Sequence, residues 1–111
     1  MSLNPEDAAF NNILEQANTF EKCLEIALQA SSSKREDALK KALSFVKYYD
    51  EAIYIYMASN DSNLHLVAIK KAIELTDDTT HLDFWIIKAP TDILKKMARD
   101  KLKEQKNKSG R

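Results

Sequence analysis

Apolar residues in this chain return every three or four positions rather than every two, the spacing that paints one face of an α-helix. The first stripe runs through Phe10, Ile13, Leu14, Ala17, Phe20, Leu24, Ala27 and Leu28. Ahead of it, Asn4, Pro5, Glu6 and Asp7 supply an N-cap, a proline at the first helical position and two carboxylates facing the positive helix end. The stripe has no phase jump, which fits one long helix; Asn18 and Thr19 offer a break, with Thr19 as a cap, which fits two. Ser31, Ser32 and Ser33 form the first clear turn, and Ser33 with Glu36 has the spacing of a capping box ahead of Ala38, Leu39, Ala42, Leu43 and Val46.

A segment dense in Tyr, Ile and Met follows over 48–58, with Asp50 as its expected cap. Beyond the polar turn at 60–63, Leu66, Ile69, Ala72, Ile73 and Leu75 mark another helix, and 76–80 is a further polar turn. Residues 82–89 read as a short apolar helix, although Phe84, Trp85, Ile86 and Ile87 alone have the composition of a strand. Pro90 closes that segment, and Thr91 caps a last helix whose face of Ile93, Leu94, Met97, Ala98 and Leu102 fades into lysines. The pattern predicts an all-α fold of five to seven helices, arranged as antiparallel hairpins in a short helical-repeat array or bundle. One domain is expected over 1–102, with a basic, frayed or disordered tail over 103–111.

Composition narrows the picture. At 111 residues, 44% hydrophobic and 31% charged, the chain is long enough for one core and short for two. Its one glycine is Gly110, so phosphate-cradling loops, dinucleotide-binding turns and nucleophile elbows lack the residue they depend on. Cys23 is the sole cysteine and lies on the apolar stripe, where it reads as a small hydrophobe rather than a nucleophile. No apolar stretch reaches the length of a membrane span and the start lacks a secretory signature, so a reducing cytoplasm is the expected setting. His65 and His81 lie in or beside polar turns without a second ligand at zinc spacing; Asp77, Asp78, His81 and Asp83 read as a polar interhelical turn. No cofactor, metal or catalytic constellation is expected, and the chain reads as a non-enzyme.

Internal similarity carries more. Ala38, Leu39, Lys40, Lys41, Ala42 and Leu43 return thirty positions later as Ala68, Ile69, Lys70, Lys71, Ala72 and Ile73. Phe20, Glu21, Lys22, Cys23 and Leu24 are echoed by Tyr49, Asp50, Glu51, Ala52 and Ile53. A period near thirty residues points to stacked helical hairpins. Tyr49, Asp50, Glu51, Ala52, Ile53 and Tyr56 resemble the start of the second helix of a tetratricopeptide repeat, with Leu39 and Ala42 near the leucine and small residue of its first helix. The family's glycines and closing proline are missing, and the period is a few residues shorter. The resemblance covers at most 20–87 and implies a tetratricopeptide-like hairpin architecture, with the three-helix bundle of the microtubule-interacting and transport family as a near neighbour.

Stacking brings equivalent repeat positions together, so Lys40, Lys41, Lys70 and Lys71 are expected as a ladder on successive first helices, suited to an acidic peptide or partner surface. Tyr54 and Trp85 are the expected interface aromatics, including for a homo-oligomer. Charge supplies an alternative: residues 1–94 hold 9 basic against 15 acidic side chains and residues 95–111 hold 8 against 2, a balance of −6 and +6. A basic helix and tail of that kind suits nucleic acid or an anionic membrane surface. Far-ultraviolet circular dichroism should show a dominantly helical spectrum; a sheet-rich one would contradict the periodicity on which everything above rests.

Overall fold

The computed structural model of the chain describes residues 5–109. They form seven helices: α1 (Pro5–Gln16), α2 (Phe20–Gln29), α3 (Ser32–Leu43), α4 (Tyr49–Ala58), α5 (Ser62–Leu75), α6 (Thr79–Lys88) and α7 (Asp92–Ser109). No strand occurs among the described residues, and Phe84 to Ile87 are helical. The long first stripe is two helices, because the chain bends at residues 17–19 and the Thr19 hydroxyl accepts the Lys22 N–H at 3.1 Å. Asn4, expected as the first cap, lies outside the described residues, as do the side chains of Glu6 and Asp7.

Two expected caps are replaced. At the head of α3 the N-cap is Ser31, and the Glu36 carboxylate turns away to take the Ser59 hydroxyl and the Asn60 N–H at 3.1 Å. The Ser33 side chain, the other half of the expected box, is outside the described residues. At the head of α4 the N-cap position is Tyr48 rather than Asp50, and Glu51 reaches back to the N–H groups of Lys47 and Tyr48 at 2.8 and 3.3 Å. A glutamate three residues into the helix has the reach for this; an aspartate in the first turn does not. Asp61 and Asp78 cap α5 and α6, and Thr91 accepts the Leu94 N–H at 3.2 Å.

Helix starts recur with the thirty-residue spacing: 20, 49 and 79 for α2, α4 and α6, and 32, 62 and 92 for α3, α5 and α7. Two- and three-residue links join α2 to α3, α4 to α5 and α6 to α7, and these are the closest-packed pairs, as short links between antiparallel neighbours require. The tetratricopeptide resemblance makes 49–56 a second helix; here α4 is the first helix of its hairpin, and the lysine pairs lie on second helices. Ala38, Ala68 and Ala98, thirty residues apart, are all fully buried, and their lack of bulk lets each second helix approach its partner closely. Helix α7 continues through Ser109, and the Gln105 amide donates to Asp77 at 3.0 Å; the last two residues of the expected tail lie outside the described residues.

The three hairpins stack into an elongated body of 60 × 24 × 19 Å, the proportions of an array rather than a closed bundle. One core cluster fills the first two hairpins and a second lies between α5, α6 and α7; Tyr49, Ile53 and Tyr56 of α4 pack against both. At that joint the Trp85 indole N–H donates to the Tyr49 hydroxyl at 2.9 Å, and the Tyr56 ring meets Trp85 edge-on at 5.7 Å. His81 stacks on Tyr49 at 3.8 Å while its Nδ1 meets the Thr76 hydroxyl at 2.7 Å. Burial pushes the Tyr49 hydroxyl above its ordinary pKa, against the Trp85 hydrogen bond. That favours the neutral phenol, so its stabilisation is present below the unfolded pKa and lost as pH rises through the folded one. Replacing Tyr49 with Phe strands the buried Trp85 N–H and should lower stability by about 1–3 kcal/mol, read from the shift in urea midpoint; an unchanged midpoint would show that the hydrogen bond contributes nothing.

Candidate binding groove

A helix leaves its last carbonyls without partners, and the usual remedy is a glycine in the left-handed conformation just past the end. Among the described residues there is no glycine to do this. At two helix ends a lysine from the next hairpin does it instead. The Lys41 ammonium of α3 donates to the carbonyls of Leu14 and Glu15 at the end of α1, the second at 3.0 Å. Sixty residues on, Lys101 of α7 donates to the carbonyls of Ile73, at 3.0 Å, and Glu74 at the end of α5, with the Asp77 carboxylate 4.0 Å away. A cation also suits the negative end of a helix electrostatically.

Lys71 of α5 is the residue midway between these two in the repeat, and its target would be the end of α3. That end is already satisfied. The N–H groups of Ser44, Phe45 and Val46 turn back to the carbonyls of Lys41, Ala42 and Leu43 at 3.0, 3.0 and 3.2 Å, and the Ser44 hydroxyl adds a bond of 2.6 Å to Lys41. Lys71 is therefore a half-buried residue with no hydrogen bond or ion pair among the described residues, and it lines the groove between α3 and α5.

The groove has a volume of about 680 Å³. Lys40, Lys70 and Lys71 line it together with the apolar side chains of Leu43, Leu64 and Val67 and the polar Ser44 and Asn63. Four carboxylates, Glu36, Asp37, Asp61 and Glu74, also reach it. Two are committed locally: Glu36 to Ser59 and Asn60, and Asp61 to the N–H groups of Asn63 and Leu64 at 2.8 and 3.1 Å. Of the four expected ladder lysines, then, three share one groove, and Lys41 is removed from it because it caps α1.

The expected interface pair is split. Tyr54 is exposed, whereas Trp85 is 2% exposed and held between Tyr49 and Tyr56, so it has no face left for a partner. Its apolar bulk is what joins the second and third hairpins, a use that composition alone does not distinguish from a surface contact. His65 meets the Ser59 carbonyl and the Tyr56 ring, and His81 is turned into the Tyr49 and Thr76 contacts. Among the described residues no three His, Cys, Asp or Glu side chains are grouped to hold a metal ion. Cys23 is fully buried, and burial pushes its thiol pKa up, with Lys41 partly opposing.

Sequence reasoning missed the lysine caps and the link from Glu36 to Ser59. The signal for the first was present: Lys41, Lys71 and Lys101 are evenly spaced, and no glycine follows any of the helices α1 to α6. Comparison of the chain with protein-family models, curated proteins and solved structures returned no match. Replacing Lys41 with Met should cost about 1 kcal/mol of stability, since the α1 carbonyls lose a charged donor, while Lys71→Met should cost nothing measurable. Parallel urea titrations check this, and equal losses would show that the two lysines are equivalent.

Proposed function

We propose that the chain is a non-enzymatic protein interaction module that takes an acidic segment of a partner protein into the groove between α3 and α5. The observation that carries this reading is Lys71, a half-buried cation whose repeat counterparts are consumed as helix caps while it faces the groove unpaired. A carboxylate from a partner would supply the missing acceptors, and such charge-assisted bonds are about twice as strong as neutral ones. Lys40 and Lys70 beside it add two further cations, and of the four carboxylates on the lining Glu36 and Asp61 are committed to local bonds. Leu43, Leu64 and Val67 offer an apolar floor to a hydrophobic residue next to the acid, which gives specificity that charge alone lacks. The lone buried Cys23 suits a reducing cytoplasm.

One observation favours a second reading. Because α7 stays helical, Lys96, Arg99, Lys103 and Lys106 fall at spacings of three and four and are all exposed, a basic stripe suited to phosphates of nucleic acid or an anionic membrane. Lys96 is partly neutralised by Asp100 at 2.9 Å, and α7 carries no aromatic ring on which a base would stack. The groove reading is the stronger.

The test is affinity capture with the full chain as bait, mass spectrometry of what is retained, and titration of an acidic peptide from the captured partner. Lys71→Glu should weaken that peptide about tenfold or more, as loss of a desolvated charged contact does, with the helical spectrum unchanged. Unchanged binding by a variant with Lys40, Lys70 and Lys71 all changed to Glu would show that recognition lies elsewhere. Loss of capture on removing residues 103–111 alone would favour the basic stripe.

A further inference from the structure

The first helices of the three hairpins repeat on their outer side as well as on their inner one. Position by position, Leu28, Met57 and Ile87 are equivalent in α2, α4 and α6, and they are 62%, 76% and 69% exposed. One turn earlier the equivalent positions are Glu25, Tyr54 and Phe84, the two aromatics being 42% and 49% exposed. A turn earlier again stand Glu21, Asp50 and Thr80, all exposed. Single exposed apolar side chains are ordinary on any surface. These recur at one register on successive helices, and they are not spare core, because the inward positions are filled separately by Cys23, Ala52, Ile55, Leu82 and Trp85. On α4 and α6, which the contacts of Trp85 with Tyr49 and Tyr56 tie together, Tyr54, Met57, Phe84 and Ile87 lie on the solvent side of the joint.

We infer that this outer face is a second docking surface, separate from the groove, and that its occupant is a partner helix with an apolar stripe and basic flanks. Charge complementarity selects the occupant. Glu21, Glu25, Asp50 and Asp83 are exposed on the same three helices, the first three at register positions of the row itself, and outnumber the cations there, Lys22 and Lys88. A second copy of the chain, docked face to face, would bring carboxylate rows against each other, and an anionic membrane would be repelled by them. The chain's own basic helix does not fit either, since Leu94, Met97, Ala98 and Leu102 of α7 are already packed against the core. An amphipathic helix lays its apolar residues along such a row and its lysines or arginines along the acidic border.

Two labelled helical peptides with an identical leucine stripe, one flanked by lysines and one by glutamates, test this by fluorescence anisotropy against the full chain at physiological salt. The lysine-flanked peptide should bind and the glutamate-flanked one should not. Met57→Ser with Ile87→Ser should weaken the lysine-flanked peptide about tenfold or more, as removal of a hydrophobic anchor does. Both positions are exposed, so thermal melts should match those of the parent. Glu21→Lys with Asp50→Lys should reverse the preference between peptides, and Lys71→Glu should leave it intact. Equal binding of the two peptides, or no effect of the serine pair, would overturn the proposal. So would concentration-dependent sedimentation of the parent that the serine pair abolishes, because the face would then belong to a second copy.

Discussion

The carbonyl groups at the ends of the helices are the constraint around which the rest of the molecule is organised. A left-handed glycine normally closes such an end from within its own helix. Without one, the ends of α2, α3, α4 and α6 close through backbone N–H groups just beyond them, while the ammonium groups of Lys41 and Lys101 cross from α3 and α7 to the ends of α1 and α5. The Lys101 bonds tie the third hairpin to the second and the Lys41 bonds tie α1 to the first, so local capping and long-range packing are the same interaction. The aromatic joint does the corresponding work between α4 and α6, where the hydrogen bond from Trp85 to Tyr49 sets one ring system against the other.

The proposed function rests on the place where that arrangement is not needed. The end of α3 closes on itself through Ser44, Phe45 and Val46, so Lys71 arrives at a helix end with nothing to cap. Lys71 is half-buried in the groove beside Lys40, Lys70 and an apolar floor, and the proposed function takes it as the contact for a partner's carboxylate. In the proposed function the partner meets a surface that the fold has already organised, so little conformational ordering is added on binding.

Much of the fold was legible because local signals agreed with one another: Thr19 and Thr91 cap as their spacing predicts, the apolar periods mark the helices, and 38–43 and 68–73 both lie in helices whose starts are thirty residues apart. What escaped depends on tertiary context. Lys41 and Lys71 sit in almost identical local sequence, and only the differing ends of α1 and α3 decide that one becomes a cap and the other faces a groove. Glu36 has capping-box spacing but finds Ser59, a buried hydroxyl from the next hairpin, within reach. Trp85 and Tyr54 look equally suited to a surface, yet Trp85 faces the Tyr49 hydroxyl and is enclosed, whereas Tyr54 is on the outer side of α4. Helical period says which residues share a face; it does not say what the face meets.

The central claim is that equivalent lysines are divided between capping and recognition, and nuclear magnetic resonance of the lysine side-chain ammonium groups tests it most directly. Hydrogen-bonded ammonium protons exchange slowly with water, and free ones exchange fast. The account predicts slow exchange at Lys41 and Lys101 and fast exchange at Lys71, Lys40 and Lys70 in the protein without a partner. Protection of Lys71 equal to that of Lys41 and Lys101 would mean that it too is a cap, and the groove would lose the cation on which its proposed function depends.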